Sequence, residues 1–134
     1  MPDTILHSFA GNPTDGSNPL GSLISSQNGS TLYGTTTDGG ASNLGTIFSV
    51  SATGGNTTIL HSFTGGTSDG SGPYGSLIFS QDYTTLYGTT TIGGASNIGT
   101  VFSISATGGN TTILHSFTGG TSDGSGPYGT LTFS

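Results

Sequence analysis

Lysine, arginine, cysteine, tryptophan and glutamate are all missing from this chain of 134 residues. A protein without cations has nothing with which to neutralise phosphates, so nucleic acid is not expected as a partner. Anionic membrane surfaces are disfavoured for the same reason, since six Asp leave a net charge of -6. The absence of cysteine removes disulfides, thiol nucleophiles and zinc–thiolate sites, and leaves the compartment open. No apolar run approaches the length of a bilayer span, so membrane insertion is not expected either. Met1-Pro2-Asp3 lacks a signal peptide's basic start and apolar core, so the signal and anchor of a secreted parent would lie outside these residues. Apolar residues are scarce too, at 29 %, against 26 Gly. Such composition often marks disorder. Here Leu, Ile, Val, Phe and Tyr recur at regular places, which argues for a packed fold.

That regularity has a definite period. Ser51 to Gly75 (SATGGNTTILHSFTGGTSDGSGPYG) returns unchanged from Ser105 to Gly129, and Thr4–Phe9 is the same TILHSF run as Thr58–Phe63 and Thr112–Phe117. Tandem identity at a fixed offset marks a repeat architecture. Within one period, β-branched and aromatic runs alternate with turn formers. Gly21–Ser26, Thr31–Thr37, Gly45–Ser51 and Thr57–Phe63 read as strands. Gln27-Asn28-Gly29-Ser30, Asp38–Leu44 and Ala52–Asn56 connect them, the first with an Asn-Gly hairpin signal that becomes Asp82-Tyr83 in the next period. The second period predicts strands over Gly75–Ser80, Thr84–Thr91, Gly99–Ser105 and Thr111–Phe117, and Gly129–Ser134 begins another. The link Gly11–Pro19 is a loop in which Pro13 and Pro19 oppose a regular ladder. No window carries a helical apolar period.

The expected fold is all-β: tandem repeats of four-stranded antiparallel sheets, like the blades of a β-propeller. Residues 1–19 form a half-unit (last strand and linking loop), 20–73 and 74–127 two repeat units, and 128–134 the first strand of a further unit. One sheet cannot bury both of its faces alone, so units must stack. Tyr33, Tyr87, Phe48, Phe102, Leu23, Leu77, Phe63 and Phe117 are the expected inter-unit core. Two full and two half-units fall short of a closed ring, so either these residues are part of a longer array or their open edges are completed by other copies, an arrangement that would favour growth into a filament.

Three phrases carry a family resemblance: Asp69–Ser80 (DGSGPYGSLIFS), Thr85–Ser105 (TLYGTTTIGGASNIGTVFSIS) and Thr57–Phe63 (TTILHSF). They resemble the GloVer (Gloeobacter/Verrucomicrobia-type) tandem repeats of large secreted bacterial proteins. The most specific element is LYGTT, then GG, then GT[IV]F, at fixed spacing in both full units. The resemblance implies a β-propeller-like fold, an extracellular or cell-surface parent and no catalytic residues. Such repeats often carry a Lys after GT[IV]F, where this chain has Ser49 and Ser103.

Several motifs invite chemistry. Gly66–Gly70 and Gly120–Gly124 match G-x-S-x-G, but a nucleophile elbow turns from a strand straight into a helix, and here the motif sits in a loop followed by Pro73 or Pro127 and another strand. Gly70–Gly75 and Gly124–Gly129 fit G-x-G-x-x-G without the helix that would hold a pyrophosphate. His7, His61 and His115 lie one period apart on the last strand of successive units, so they do not converge on one ion and are expected to be packed or half-exposed. Asp15, Asp69 and Asp123 each precede a Gly in the linking loop. One carboxylate per loop is a weak Ca²⁺ candidate, and an Asx-turn is the simpler expectation. Asn28, Asn56 and Asn110 match the N-glycosylation pattern at predicted hairpin tips.

These observations leave two readings. The first is a non-catalytic structural and interaction module, partnered by adjacent repeats or other copies of itself, with no cofactor. The second is a module whose side-by-side loops bind carbohydrate or Ca²⁺. An enzyme lacks a convergent constellation of residues and is not expected.

Overall fold

The computed structural model describes residues 2–134 and is all-β. The first period supplies β1 (Gly16–Ser17), β2 (Ile24–Ser25), β3 (Thr31–Thr36), β4 (Asp38–Gly39), β5 (Thr46–Ser51) and β6 (Thr58–Ser62). The second supplies β7 (Gly70–Ser71), β8 (Ile78–Phe79), β9 (Thr85–Thr90), β10 (Ile92–Gly93), β11 (Thr100–Ser105) and β12 (Thr112–Ser116). Each period builds one antiparallel meander, β2-β3-β5-β6 and β8-β9-β11-β12, so the four-stranded units are present as expected. The sheets are open and do not close on one another in a ring. Asn28 and Asp82 hold the first turn of each meander by accepting hydrogen bonds from the flanking Ser and Thr hydroxyls.

Three expectations need correction. Thr4–Phe9 and Gly129–Ser134 form no strand, because the chain places no sheet neighbour beside either of them. Conversely, the linking loop does form a short ladder: β1 pairs with β4, and β7 with β10. Gly makes that ladder possible, since a Cβ at Gly16 or Gly70 would run into the side chain of Thr36 or Thr90.

The core lies between units. Leu77, Leu86, Phe102 and Ile104 of the second unit pack against Ile47, Leu60 and Phe63 of the first, and all seven are buried. Phe63 meets Phe102 edge-on, with ring centroids 5.5 Å apart. Of the expected core, Phe48, Phe63, Leu77 and Phe102 are buried, and Tyr33, Tyr87 and Phe117 are half-buried. Leu23 is 49 % exposed, since its face of the first unit is covered only by the Thr4–Phe9 segment. Four threonines complete the interior. Thr36 and Thr46 share a hydrogen bond at 2.7 Å and Thr90 and Thr100 one at 2.8 Å, which satisfies their buried hydroxyls.

Candidate functional site

The TILHSF run alternates its side chains, so Leu60 and His61 face opposite ways. Leu60 enters the core while His61 turns to the linking loop, where Asp69 waits eight residues on. His61 Nε2 donates to Asp69 Oδ2 at 2.8 Å. The same pair forms between His7 and Asp15 at 2.7 Å and between His115 and Asp123 at 2.9 Å. The loop between His and Asp differs in the first copy, Ala10–Thr14 standing where Thr64–Ser68 stand in the second, and the pairing persists.

At the first two stations the next unit joins in. His61 Nδ1 donates to the Gly109 carbonyl at 2.9 Å, and the Thr111 hydroxyl donates to Asp69 Oδ1 at 2.8 Å. His7 reaches the Gly55 carbonyl at 2.9 Å, and Thr57 reaches Asp15 at 2.6 Å. The backbone closes each contact, from Gly55 N–H to the Leu6 carbonyl and from Gly109 N–H to the Leu60 carbonyl. Each carboxylate also accepts backbone N–H groups, Asp15 from Ala10 and Gly16 and Asp69 from Thr64.

Both nitrogens of His61 face acceptors, a carbonyl and a carboxylate, so only the doubly protonated imidazolium satisfies the site. Burial opposes that charge, but the hydrogen bond and charge of Asp69, with the Gly109 carbonyl, outweigh it and hold the His61 pKa above its ordinary value. Burial likewise opposes ionisation of Asp69. His61, the Thr64 amide and Thr111 more than compensate, holding its carboxyl down to about 2. Asp15 is held to about 2 in the same way, burial being outweighed by Thr57, Ala10, His7 and Gly16.

Beside each complete junction lies a polar hollow. One of about 470 Å³ is lined by His61, Ser62, Thr64, Asp69, Asn110 and Thr111, and its counterpart of about 390 Å³ by the equivalent residues of the first station. Asn56 and Asn110 are thus exposed at the rims of these hollows, and Asn28 is exposed in its turn. Among the described residues no three His or Asp groups come together. Ser68 and Ser122, the serines of the G-x-S-x-G matches, are exposed in the loop, with no hydrogen bond to a His. The His–Asp pair went unread in the sequence, although the spacing His7/Asp15, His61/Asp69 and His115/Asp123 carries the signal. Nothing local announces Thr57 or Thr111, because they reach the site from the neighbouring unit.

Comparison with curated proteins and with solved structures returns no match. The family model for the Gloeobacter/Verrucomicrobia repeat matches residues 2–134, and the chain belongs to that repeat family.

Proposed function

We propose that this chain is a non-catalytic structural and interaction repeat that acts outside the cell and associates with further copies of itself into an extended assembly. The observation that carries this reading is the use made of its imidazoles and carboxylates at the complete junctions. Both ring nitrogens of His61 and both oxygens of Asp69 are occupied: His61 and Asp69 hold each other and the Thr64 amide within their unit, and the Gly109 carbonyl and Thr111 hydroxyl tie the pair to the next unit. Groups so engaged hold units in register and are poorly placed to carry protons for a substrate. Ends that expose Ile5, Leu114, Tyr128 and Phe133 favour association further. Electron microscopy beside light scattering of the purified chain tests the reading. Regular assemblies with an axial repeat of whole units are the expected result, and a monomer at every concentration would overturn it.

A second reading has its own observation, the repeated polar hollows with Asn, Ser, Thr and Asp at their walls. Side chains of this kind suit sugar hydroxyls, so the hollows are candidate carbohydrate sites. A glycan-array screen with Asn110→Ala as control tests it, and binding that survives the substitution would rule out this location.

A further inference from the structure

The C-terminal end of the stack is already set up for a unit that follows it. Ser22 N–H donates to the Ser76 hydroxyl at 2.7 Å, and Ser76 N–H donates to the Thr130 hydroxyl at 3.2 Å, so the first segments of successive units run in a column. Phe133 meets Tyr87 edge-on at 5.8 Å as Phe79 meets Tyr33 at 5.1 Å. Residues 129–134 therefore stand where a first strand belongs, without a second strand to pair with. Beside them, His115 and Asp123 are paired but lack the carbonyl and the Thr that complete the other two stations.

The N-terminal end offers the missing partners, occupied by a weaker version of the same segment. Thr4–Ser26 corresponds residue for residue to Thr112–Ser134, with TILHSF identical and His7, Asp15 and Pro19 matching His115, Asp123 and Pro127. Between it and Leu32, Phe48 and Val50 of the first sheet an apolar groove of about 400 Å³ is left unfilled, with Ile5, Leu6 and Phe9 of the segment as its other wall. The segment's hold is partial. Thr4–Phe9 has no sheet neighbour, and Ile5, Leu20 and Leu23 are 77 %, 63 % and 49 % exposed.

We infer that copies of this chain join head to tail by segment exchange. Thr112–Ser134 of one copy displaces Thr4–Ser26 of the next and pairs with β3 of that copy, where β2 lay. This rests on the self-association proposed above and supplies its geometry. The incoming His115 and Asp123 meet the acceptor's Gly55 carbonyl and Thr57 hydroxyl in place of His7 and Asp15, and Leu114 and Phe117 replace Leu6 and Phe9. The groove thus trades one set of side chains for a chemically equivalent set, so displacement costs little there. The gain comes from β12, which enters already braced by β11, and from pairing the otherwise unpaired Gly129–Ser134. The exposed turn Gln27–Ser30 is the hinge that releases the displaced segment. Register stays continuous across the join, because the incoming segment matches the displaced one residue for residue.

Cross-linking across the new ladder tests this. Register places Ser26 opposite Thr31, since Ile24 pairs with Tyr33 and Ser25 with Leu32. Exchange therefore puts Ser134 of one copy opposite Thr31 of the next. A Ser134→Cys chain mixed with a Thr31→Cys chain should give a disulfide-linked heterodimer under mild oxidation. Two further variants move the yield in opposite directions. A Cβ at residue 129 meets nothing within 4 Å in the single chain, but exchange sets that residue in the place of Gly21, whose Cβ would lie 2.9 Å from the Gly75 carbonyl. Gly129→Ala should thus cut cross-linking by roughly tenfold and leave the melting temperature unchanged. His7→Ala weakens the resident segment alone and should raise the yield several-fold. Assemblies that form without the cross-link would overturn exchange and leave self-association standing. A chain monomeric at every concentration would overturn both.

Discussion

Two stretches of identical sequence meet different fates in this molecule. Thr58–Gly75 and Thr112–Gly129 share every residue, yet Leu60 is 9 % exposed and Leu114 54 %. The His61 side chain is 10 % exposed and that of His115 50 %. Phe63 is sealed and Phe117 half-buried. Local conformation is the same in both, β6 and β12 each pairing with the strand before it through a matching irregularity in register. The difference is whether a following unit covers the strand. Burial in a repeat protein is a property of the junction and not of the motif.

Paired substitutions turn this comparison into measurements. The largest contrast is expected from the aromatic positions. Phe63→Ala removes a fully buried ring from the inter-unit core and should cost about 3–5 kcal/mol in denaturant unfolding, whereas Phe117→Ala should cost about 1 kcal/mol. Equal losses at the two sites would contradict the junction account. Next come the carboxylates. Asp69→Ala leaves His61, the Thr64 amide and Thr111 without their shared acceptor and should destabilise by about 2–3 kcal/mol. Asp123→Ala, at the open station, should change the melting temperature little. A smaller contrast lies in the column of first segments. A Cβ at Gly75 would sit 2.5 Å from the Gly129 carbonyl, so Gly75→Ala should cost about 1–2 kcal/mol. The equivalent change at Gly129 meets open space and should be silent in the isolated chain.

The pH dependence of the complete junction is the finest of these tests, and its sign follows from the two shifts. His61 is held above its ordinary value of 6.5, so its contribution is complete below about that pH and is lost as pH rises through the raised value. Asp69 is held at about 2 against an ordinary 3.8, so its contribution is present above about 4 and is lost as pH falls towards 2. Junction strength should therefore peak between about pH 4 and 6.5. Hydrogen exchange at the Gly109 amide, which bonds Leu60 across the junction, reads this directly. Protection that rises with pH above 7 would refute the imidazolium assignment.

Much of this architecture is legible in the residues. The period of 54, the four strands of each meander and the burial of Phe48, Phe63, Leu77 and Phe102 all follow from alternation and turn chemistry. Local pattern overstates the first strand of each unit, where Gly21–Ser26 and Gly75–Ser80 shorten to Ile24–Ser25 and Ile78–Phe79. Those segments use the rest of their length on the column between units, a contact that leaves no trace in local pattern. The His–Asp pairs are present as a spacing, yet their completion by Thr57 and Thr111 comes from residues 42 positions on.

The sequence alone determined the repeat, the all-β class and which residues are able to pair, because periodicity and turn preference act within a few neighbours along the chain. Only the tertiary structure decided which copy of each motif is buried and which His–Asp pairs are joined to a neighbouring unit. Those outcomes depend on contact with a unit one period away, which no pattern within a few neighbours along the chain records.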